Sequence, residues 1–294
     1  MIELRHLRYF IAVAEELNFR RAAERIHIDP TPLSRTIRDL EDHLGVLLIL
    51  RRPRKLCLTP AGVRLFKESL NLFIRLERAQ RVVRATDANH RAPLHIGVAD
   101  GLAQPRLSQC LARWQAIAPE VPLELSEMRA RELAAALCRE EVDVGFSFGV
   151  PEDARIVQEP VWDYPLIALL PRGHELERQG ALGLADLARF PMIVCHADHK
   201  PGVRRQIDAL LAQCACAPSI AGEARTFMGC VTRIAAGLGV GVTDSGHAET
   251  LRRTDVSAVP LQGDLRLHTY VLYKHQRGGL PEAVQRFLTH TRSL

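Results

Sequence analysis

The sequence predicts an α/β protein of two folded parts: a small helical unit with a β-hairpin, then one long helix leading into a larger α/β portion of two lobes. Three observations predict it. Basic charge is concentrated in the first third of the chain. Short helical patterns there are separated by a turn of only a few residues. Strand and helix patterns alternate through the last two hundred residues.

At 294 residues, the chain is longer than one core usually serves, so two units are expected. Hydrophobic residues make up 47% and charged residues 25%, an ordinary globular balance. No apolar run approaches the roughly 18 residues of a membrane span, and Met1 to Arg8 lacks a signal-peptide pattern. The expectation is a cytoplasmic chain with no membrane partner. Its seven cysteines are odd in number and irregularly spaced, which reads as free thiols. Cys214 and Cys216 are the one close pair, and no second pair completes a zinc site.

The net charge of +5 is unevenly placed. Residues 1–91 hold 18 Lys and Arg against 11 Asp and Glu, and the remainder holds 21 against 23. A unit of +7 joined to one of −2 is the footprint of a polyanion-binding module. Charge alone is equally compatible with a solvated basic face, so the pattern beneath it has to decide.

Leu4, Leu7, Ile11 and Ala14 recur at steps of three and four and define a first amphipathic helix. Asn18 suits the N-cap of a second, whose Ala22, Ala23 and Ile26 form a small-residue packing face. Asp29 caps a third, with Pro30 in its first turn. Two short helices joined over Ile26 to Asp29 fit a helix-turn-helix. On the third helix Leu33, Ile37, Leu40 and Leu44 share a narrow arc, while Thr31, Ser34, Arg35 and Arg38 lie opposite. Those polar groups can donate to phosphates and guanine edges and touch thymine methyls, although such a face can also be merely solvated. Arg20, on the second helix, joins Pro30, Thr31, Ser34, Arg35 and Arg38 as DNA-contact candidates. Leu47 to Leu50, a basic turn, and Leu56 to Thr59 then read strand, turn, strand: a wing. Its Arg51, Arg52, Arg54 and Lys55 would rest on the sugar-phosphate backbone.

The stretch Asn18-Phe19, Ala22-Ala23-Glu24-Arg25-Ile26-His27, Leu33-Ser34-Arg35, Ile37, Leu40-Glu41, Leu44-Gly45-Val46 and Leu58-Thr59-Pro60-Ala61-Gly62 resembles the LysR-type transcriptional regulators over about sixty residues in register. The opening Glu3 to Phe10 resembles the branch that regulates aromatic-acid catabolism. The family usually carries Gln near the start of the recognition helix, where this chain has Pro30. Gln can pair bidentately with adenine and proline cannot, so operator preference is expected to differ there.

From Gly62 to about Ala88 there is no internal proline or glycine. Leu65, Leu72, Leu76, Ala79 and Val83 form a seam, with Phe66 and Phe73 beside it. Such a seam packs on another helix or on its own domain. The resemblance implies an antiparallel dimer contact. The expected domains are 1–60, winged helix-turn-helix; 61–89, linker; and 90–294, effector domain.

Strands are expected at Pro93 to Asp100, Val121 to Glu127 and Val142 to Phe148, with helices at Leu107–Ala118 and Glu132–Arg139. A second series runs from Tyr164 to Val259. A strand at Leu265 to Lys274 and a helix at Pro281–Thr291 close the chain. This alternation predicts parallel sheets, with the C-terminal part finishing the first lobe, so that the chain crosses between lobes twice. The resemblance implies two lobes of the periplasmic-binding-protein type around a ligand cleft. Gly237-Leu238-Gly239-Val240-Gly241 fits the family's helix-to-strand turn and is not a dinucleotide fingerprint.

No nucleotide, serine-hydrolase, zinc-protease or cysteine-nucleophile signature is present, so the chain is not expected to be an enzyme and no cofactor is expected. Cys195-His196, Asp198 and His199 have metal-binding side chains but read better as a polar loop after a buried strand. By resemblance the effector would meet Asp100, Gly101, Arg129, Ala130, Lys200, Pro201, Gly202, Val203, Phe227 and Met228, at strand ends and helix N-termini. Relatives often place hydroxyl residues where Asp100 and Ala130 stand. Asp100 repels a simple carboxylate, whereas Arg129 and Lys200 attract one. The pairing suits an effector with both an anionic group and a hydroxyl or cationic one, and a salt bridge from Asp100 to a neighbouring cation is the alternative. The resulting expectation is an effector-dependent regulator that binds double-stranded operator DNA as a homo-oligomer, a dimer of dimers, and recruits RNA polymerase. A solute-binding protein and a metabolic enzyme with a DNA-binding arm are the rivals.

Overall fold

The computed structural model describes residues 1–52, 55–87, 92–213, 218–276 and 278–294, with side chains at all of these except 51, 52, 55, 78, 81, 82 and 84–87. The chain divides within its longest helix into two units, Met1–Arg84 and Ala85–Leu294. Cys214 and Cys216 lie outside the described residues.

In the first unit α1 (Leu4–Glu16), α2 (Phe19–Arg25) and α3 (Pro30–Leu44) precede a hairpin, β1 (Ile49–Arg52) and β2 (Lys55–Leu58), and then α4 (Pro60–Asp87). Asn18 Oδ1 caps α2 by accepting from the backbone N–H groups of Arg20, at 2.9 Å, and Arg21, at 3.2 Å. Asp29 holds the N-cap of α3 without a side-chain cap bond, and Pro30 stands at N1, where its missing N–H costs nothing. Leu33, Ile37 and Leu40 are fully buried against Phe10, Val13, Ala22 and Ala23. The inward stripe of α1 is one position round from the expected one. Leu4 is exposed and Ile11 half-buried, because the neighbouring Leu7, Phe10, Val13, Ala14 stripe carries the aromatic ring and buries more apolar area. Leu44, at the end of α3, is likewise exposed.

Three residues tie the hairpin to the helices. Buried Glu41 accepts with one oxygen from the N–H groups of Leu48 (2.7 Å) and Ile49 (3.0 Å). Thr59 donates to the Leu47 carbonyl at 2.7 Å and accepts from Gly62 N at 2.9 Å. A Cβ on Gly62 would stand 2.1 Å from the Leu48 carbonyl oxygen, so only glycine fits. Along α4, Leu65, Phe66 and Phe73 pack on this core, and Arg8 lies over the Phe73 ring. Leu72 and Val83 stay exposed, at 41% and 68%. The seam therefore divides: its first turns pack on their own unit and Leu72 and Val83 are left exposed.

The second unit opens with β3 (Leu94–Ala99), α5 (Pro105–Ile117), β4 (Leu123–Met128), α6 (Ala130–Arg139) and β5 (Val144–Ser147). It continues through β6 (Ile156–Pro171), α7 (Leu184–Leu187), β7 (Met192–Cys195), α8 (Pro201–Leu211), β8 (Ile220–Ala224), α9 (Phe227–Ala235), β9 (Gly241–Asp244) and α10 (Ser245–Thr250). It closes with β10 (Val256–Pro260), β11 (Arg266–Lys274) and α11 (Glu282–Arg292). The spine is β6, sixteen residues long. Its first ten residues pair with β11 in the first lobe, and the last six pair with β9 and β10 in the second.

The expectation of parallel sheets is corrected here. β3 pairs parallel with β4 and β5, and β7 with β8, but every pairing of β6 and β11 is antiparallel. A parallel return needs a crossover of a dozen residues or more. The connections 148–155 and 261–265 carry no helix. The double crossing between lobes agrees with expectation: β6 leaves the first lobe and β11 with α11 return to it. There Phe287 meets Trp114 of α5 edge-on at 5.1 Å, and Phe146 stacks on Trp162 at 5.4 Å.

Candidate DNA-binding face and effector cavity

On the first unit Arg20, Pro30, Thr31, Arg35 and Arg38 are exposed and Ser34 half-buried. Arg20 is paired with Glu24 at 3.3 Å. Arg35 and Arg38 have no hydrogen bond or ion pair among the described residues. The buried arc of Leu33, Ile37 and Leu40 holds the helix by one side and turns these guanidinium groups outward, where they can meet phosphates or guanine edges. In the wing Arg51 faces Leu56 and Arg52 faces Lys55 in the ladder. The side chains of Arg51, Arg52 and Lys55, and the whole of Arg54, lie outside the described residues.

The second unit encloses a cavity of about 440 Å3 at the carboxyl ends of β3 and β4 and the N-termini of α8 and α9, the expected ligand position in an α/β fold. Of the ten residues expected to meet an effector, Asp100, Gly101, Arg129, Lys200, Phe227 and Met228 line it. Val203 lines a smaller adjoining space of about 20 Å3 that shares Lys200, Phe227 and His247. Ala130, Pro201 and Gly202 do not line the larger cavity. Ala130 is fully buried in the core under α6. Gly202 is held by packing, because a Cβ there would stand 2.5 Å from the Gly149 carbonyl oxygen. Ala130 and Gly202 sit at the right helix starts but on the side turned to protein.

Two charged side chains dominate the inner wall. Asp100 is 4% exposed and Lys200 7%. Asp100 Oδ2 accepts from Phe148 N at 3.2 Å, while buried Oδ1 has no partner. No ion pair within 4.0 Å joins Asp100 to Lys200, so the expected alternative of a salt bridge is not what holds this carboxylate. Burial pushes its pKa up to about 6, against the Phe148 hydrogen bond and the more distant Lys200 charge. Asp100 (φ 63°) and Gly101 (φ 63°) are both left-handed, an uncommon conformation for an aspartate. At the mouth, His199 lies near Arg129 and Arg225; partial burial and those two cations hold its pKa below the usual histidine value. Phe227, Met228, Met128 and Leu251 supply apolar surface.

Residues the sequence reading missed complete the wall: Arg225, Thr226, His199 and His247. Buried His247 places Nδ1 2.7 Å from Asp244 Oδ2 and Nε2 3.2 Å from the Gly101 carbonyl oxygen. Asp244 also accepts from Gln104 Nε2 at 3.0 Å, and Gln104 in turn accepts from Thr269 Oγ1 at 2.7 Å. Burial raises the Asp244 pKa, but the hydrogen bonds of His247 and Gln104 outweigh it and hold it low. This chain of buried groups links β9 and α10 of one lobe to the start of α5 and β11 of the other, beneath the cavity. Its one local signal was an aspartate at an N-cap with histidine three residues on.

Cys195 and Cys230 line the smaller space. Burial raises both thiols, Cys230 to about 12, so neither is the thiolate that oxidation chemistry needs. Among the described residues no three His, Cys, Asp or Glu side chains are grouped to hold a metal ion.

A helix-turn-helix with an outward cationic face, followed by two α/β lobes around a charged cavity, is the plan of a ligand-sensing DNA-binding regulator. Residues 4–63 match the family described as bacterial regulatory helix-turn-helix protein, lysR family, and residues 87–294 match the LysR substrate binding domain. The chain is similar to the HTH-type transcriptional regulator CatR of Pseudomonas putida, 33% identical over 288 residues and covering 98% of each chain. It is also similar to the Hca operon transcriptional activator HcaR of Escherichia coli K12, 30% identical over 98% of this chain and 96% of that one. Full-length CbnR in complex with its target DNA has the same fold, with a TM-score of 0.84 at 23% identity over 99% of both chains. This chain belongs to the LysR family of DNA-binding transcriptional regulators, which are not enzymes.

Proposed function

We propose that the chain is an effector-dependent activator that binds operator DNA as a dimer of dimers and acts on RNA polymerase. It would work in the cytoplasm and also repress its own gene. The observation that carries the sensing part is the 440 Å3 cavity with Lys200 buried in its wall, its ammonium unpartnered among the described residues. An ammonium that lines a cavity and is unpaired among the described residues is placed to meet a ligand anion. In this reading residues 1–60 bind DNA, 61–89 join two chains, and 90–294 sense the effector. Arg35 and Arg38 of α3, with Thr31 and Ser34, read the operator, while Arg20 and the wing cations Arg51, Arg52, Arg54 and Lys55 hold phosphates. The effector favours one arrangement of the lobes by binding it more tightly. The resemblance of residues 3–10 to the aromatic-acid branch supports a small acid as signal, and likeness to the Hca operon transcriptional activator HcaR supports activation.

Fluorescence anisotropy of the full chain on the promoter fragment upstream of its own gene, with and without candidate acids, tests this. Affinity or DNA bending should change with an acid, and random DNA should bind far less tightly. Assembly is tested at α4. A charge at Leu72, exposed within its own unit, would be buried unpaired in a partner seam and should split the oligomer. Wild-type sedimentation of Leu72→Glu would remove α4 from the contact.

A further inference from the structure

The inner end of the cavity offers two opposite charges, and neither is used by the described residues. Asp100 Oδ1 is buried with no donor, although its sister oxygen accepts from the Phe148 amide. Lys200 is buried with no acceptor among the described residues. Its ammonium lies close enough to Gly101 that a Cβ there would stand 3.8 Å from Nζ, so the cation and the carboxylate flank the same corner. The backbone holds Asp100 there in a left-handed conformation that asparagine or glycine would adopt more readily. His247 cannot complete Asp100, since its two ring nitrogens face Asp244 and the Gly101 carbonyl. An acceptor and a donor side by side are complementary to a ligand that carries a donor and an acceptor on neighbouring atoms.

We infer that the effector is a small acid with a hydroxyl or ammonium group next to its carboxylate, the carboxylate on Lys200 and the donor on Asp100. This rests on the cavity being the effector site. It adds that Asp100 sets specificity. A plain acid leaves Asp100 Oδ1 unsatisfied and brings a second negative charge beside it, whereas a 2-hydroxy or 2-amino acid fills the missing hydrogen bond. The apolar surface of Phe227, Met228 and Leu251 accommodates the carbon skeleton, and Arg129, Arg225 and His199 at the mouth draw acids inward.

Matched sets test it by calorimetric titration of the full chain: succinate, malate and aspartate; benzoate, salicylate and anthranilate; 3-phenylpropanoate, phenyllactate and phenylalanine. In at least one set the donor-bearing acid should bind wild type roughly tenfold or more tightly than the plain one, as a hydrogen bond to a charged group implies. Asp100→Thr and Asp100→Asn, two variants in case one folds poorly, should shrink that preference to about threefold or less by strengthening the plain acid. Lys200→Met should weaken every member. Equal or reversed preference in wild type, with binding still lost in Lys200→Met, would leave the cavity as the site and overturn the role of Asp100. A preference that persists in both Asp100 variants would overturn it too. Binding that survives Lys200→Met, or no binding by any of the nine acids, would overturn both the inference and the placing of the effector here.

Discussion

Helix α3 and the cavity present charge in opposite ways. Arg35 and Arg38 stand in water on a helix anchored from its other side, whereas Asp100 and Lys200 are buried, with no partner among the described residues for Oδ1 of the one or the ammonium of the other. A polyanion supplies many weak, screened contacts, so its receptor can keep cations solvated at little cost to stability. A small metabolite supplies few contacts, so each must be made where water is excluded and charge interacts strongly. The sensor therefore carries a standing electrostatic cost in the free protein that the DNA-binding unit does not.

The largest effect is expected at Lys200. Lys200→Ala removes the ammonium from the cavity wall and should cost about 2 kcal/mol or more of effector binding, which abolishes the response in a promoter-reporter assay. Operator affinity in the absence of effector should be unchanged. Effector-dependent transcription that survives both Lys200→Ala and Arg129→Ala would put the ligand elsewhere.

Asp100 exposes the standing cost directly. Its carboxyl pKa in the fold is near 6, above the 3.8 of an unperturbed group. Folding thus favours the protonated form. That contribution is complete below about pH 4 and is lost as pH rises through 6. Asp100→Asn cannot ionise, so relative to wild type it should gain about 2 kcal/mol between pH 4 and pH 7. Urea unfolding across that range measures the gap. A gap of the same size at both ends would mean that Asp100 is not strained by burial in solution.

The contrast also governs what could be read from sequence. The exposed polar face of α3 was legible because its determinants are local. Leu33, Ile37 and Leu40 set one side of a single helix, and the other side follows by periodicity. Even there, the reasons for Glu41, Thr59 and Gly62 were hidden, since all three answer to the backbone around Leu47 to Ile49. The cavity was legible where it lies at strand ends and helix starts. His247 depends on Asp244, which depends on Gln104, 140 residues away, and no pattern in one segment records that. The long β6 escaped because Pro160 and Pro165 argue against a strand. Both fall in the part of β6 whose one partner is β11, so one edge of the strand is open there and a residue without an N–H can be accommodated. A parallel sheet was then the natural but mistaken inference from βα alternation.

On the other side of the contrast, Arg35→Ala should weaken operator binding by about 1–3 kcal/mol and random-sequence binding much less. The reason is position. Arg35 is exposed, has no partner among the described residues, and lies across the helix from buried Leu33 and Ile37. Competition titrations with operator and scrambled duplexes separate the two affinities. Equal losses would reassign Arg35 from bases to phosphate and leave Arg38, Thr31 and Ser34 to carry the readout.

The smallest effect is expected at the wing, where it tests whether charge on this unit is used as solvated charge throughout. Arg52 and Arg54 belong to the basic run Arg51-Arg52-Pro53-Arg54-Lys55, and Arg52 ends β1 opposite Lys55 in a ladder four residue pairs long. Each contributes through proximity to phosphate, and each phosphate neutralised releases condensed counterions. Replacing both with Gln should lower the slope of log affinity against log salt by about 0.9 for each phosphate that is no longer neutralised, alike on operator and random DNA. Effector affinity, set by buried groups in the other unit, should not move. If the slope stays the same, the wing cations are solvated bystanders and the basic excess acts through α2 and α3. If operator binding falls while random binding does not, the wing reads sequence, and the division between positioning and reading groups within this unit has to be redrawn.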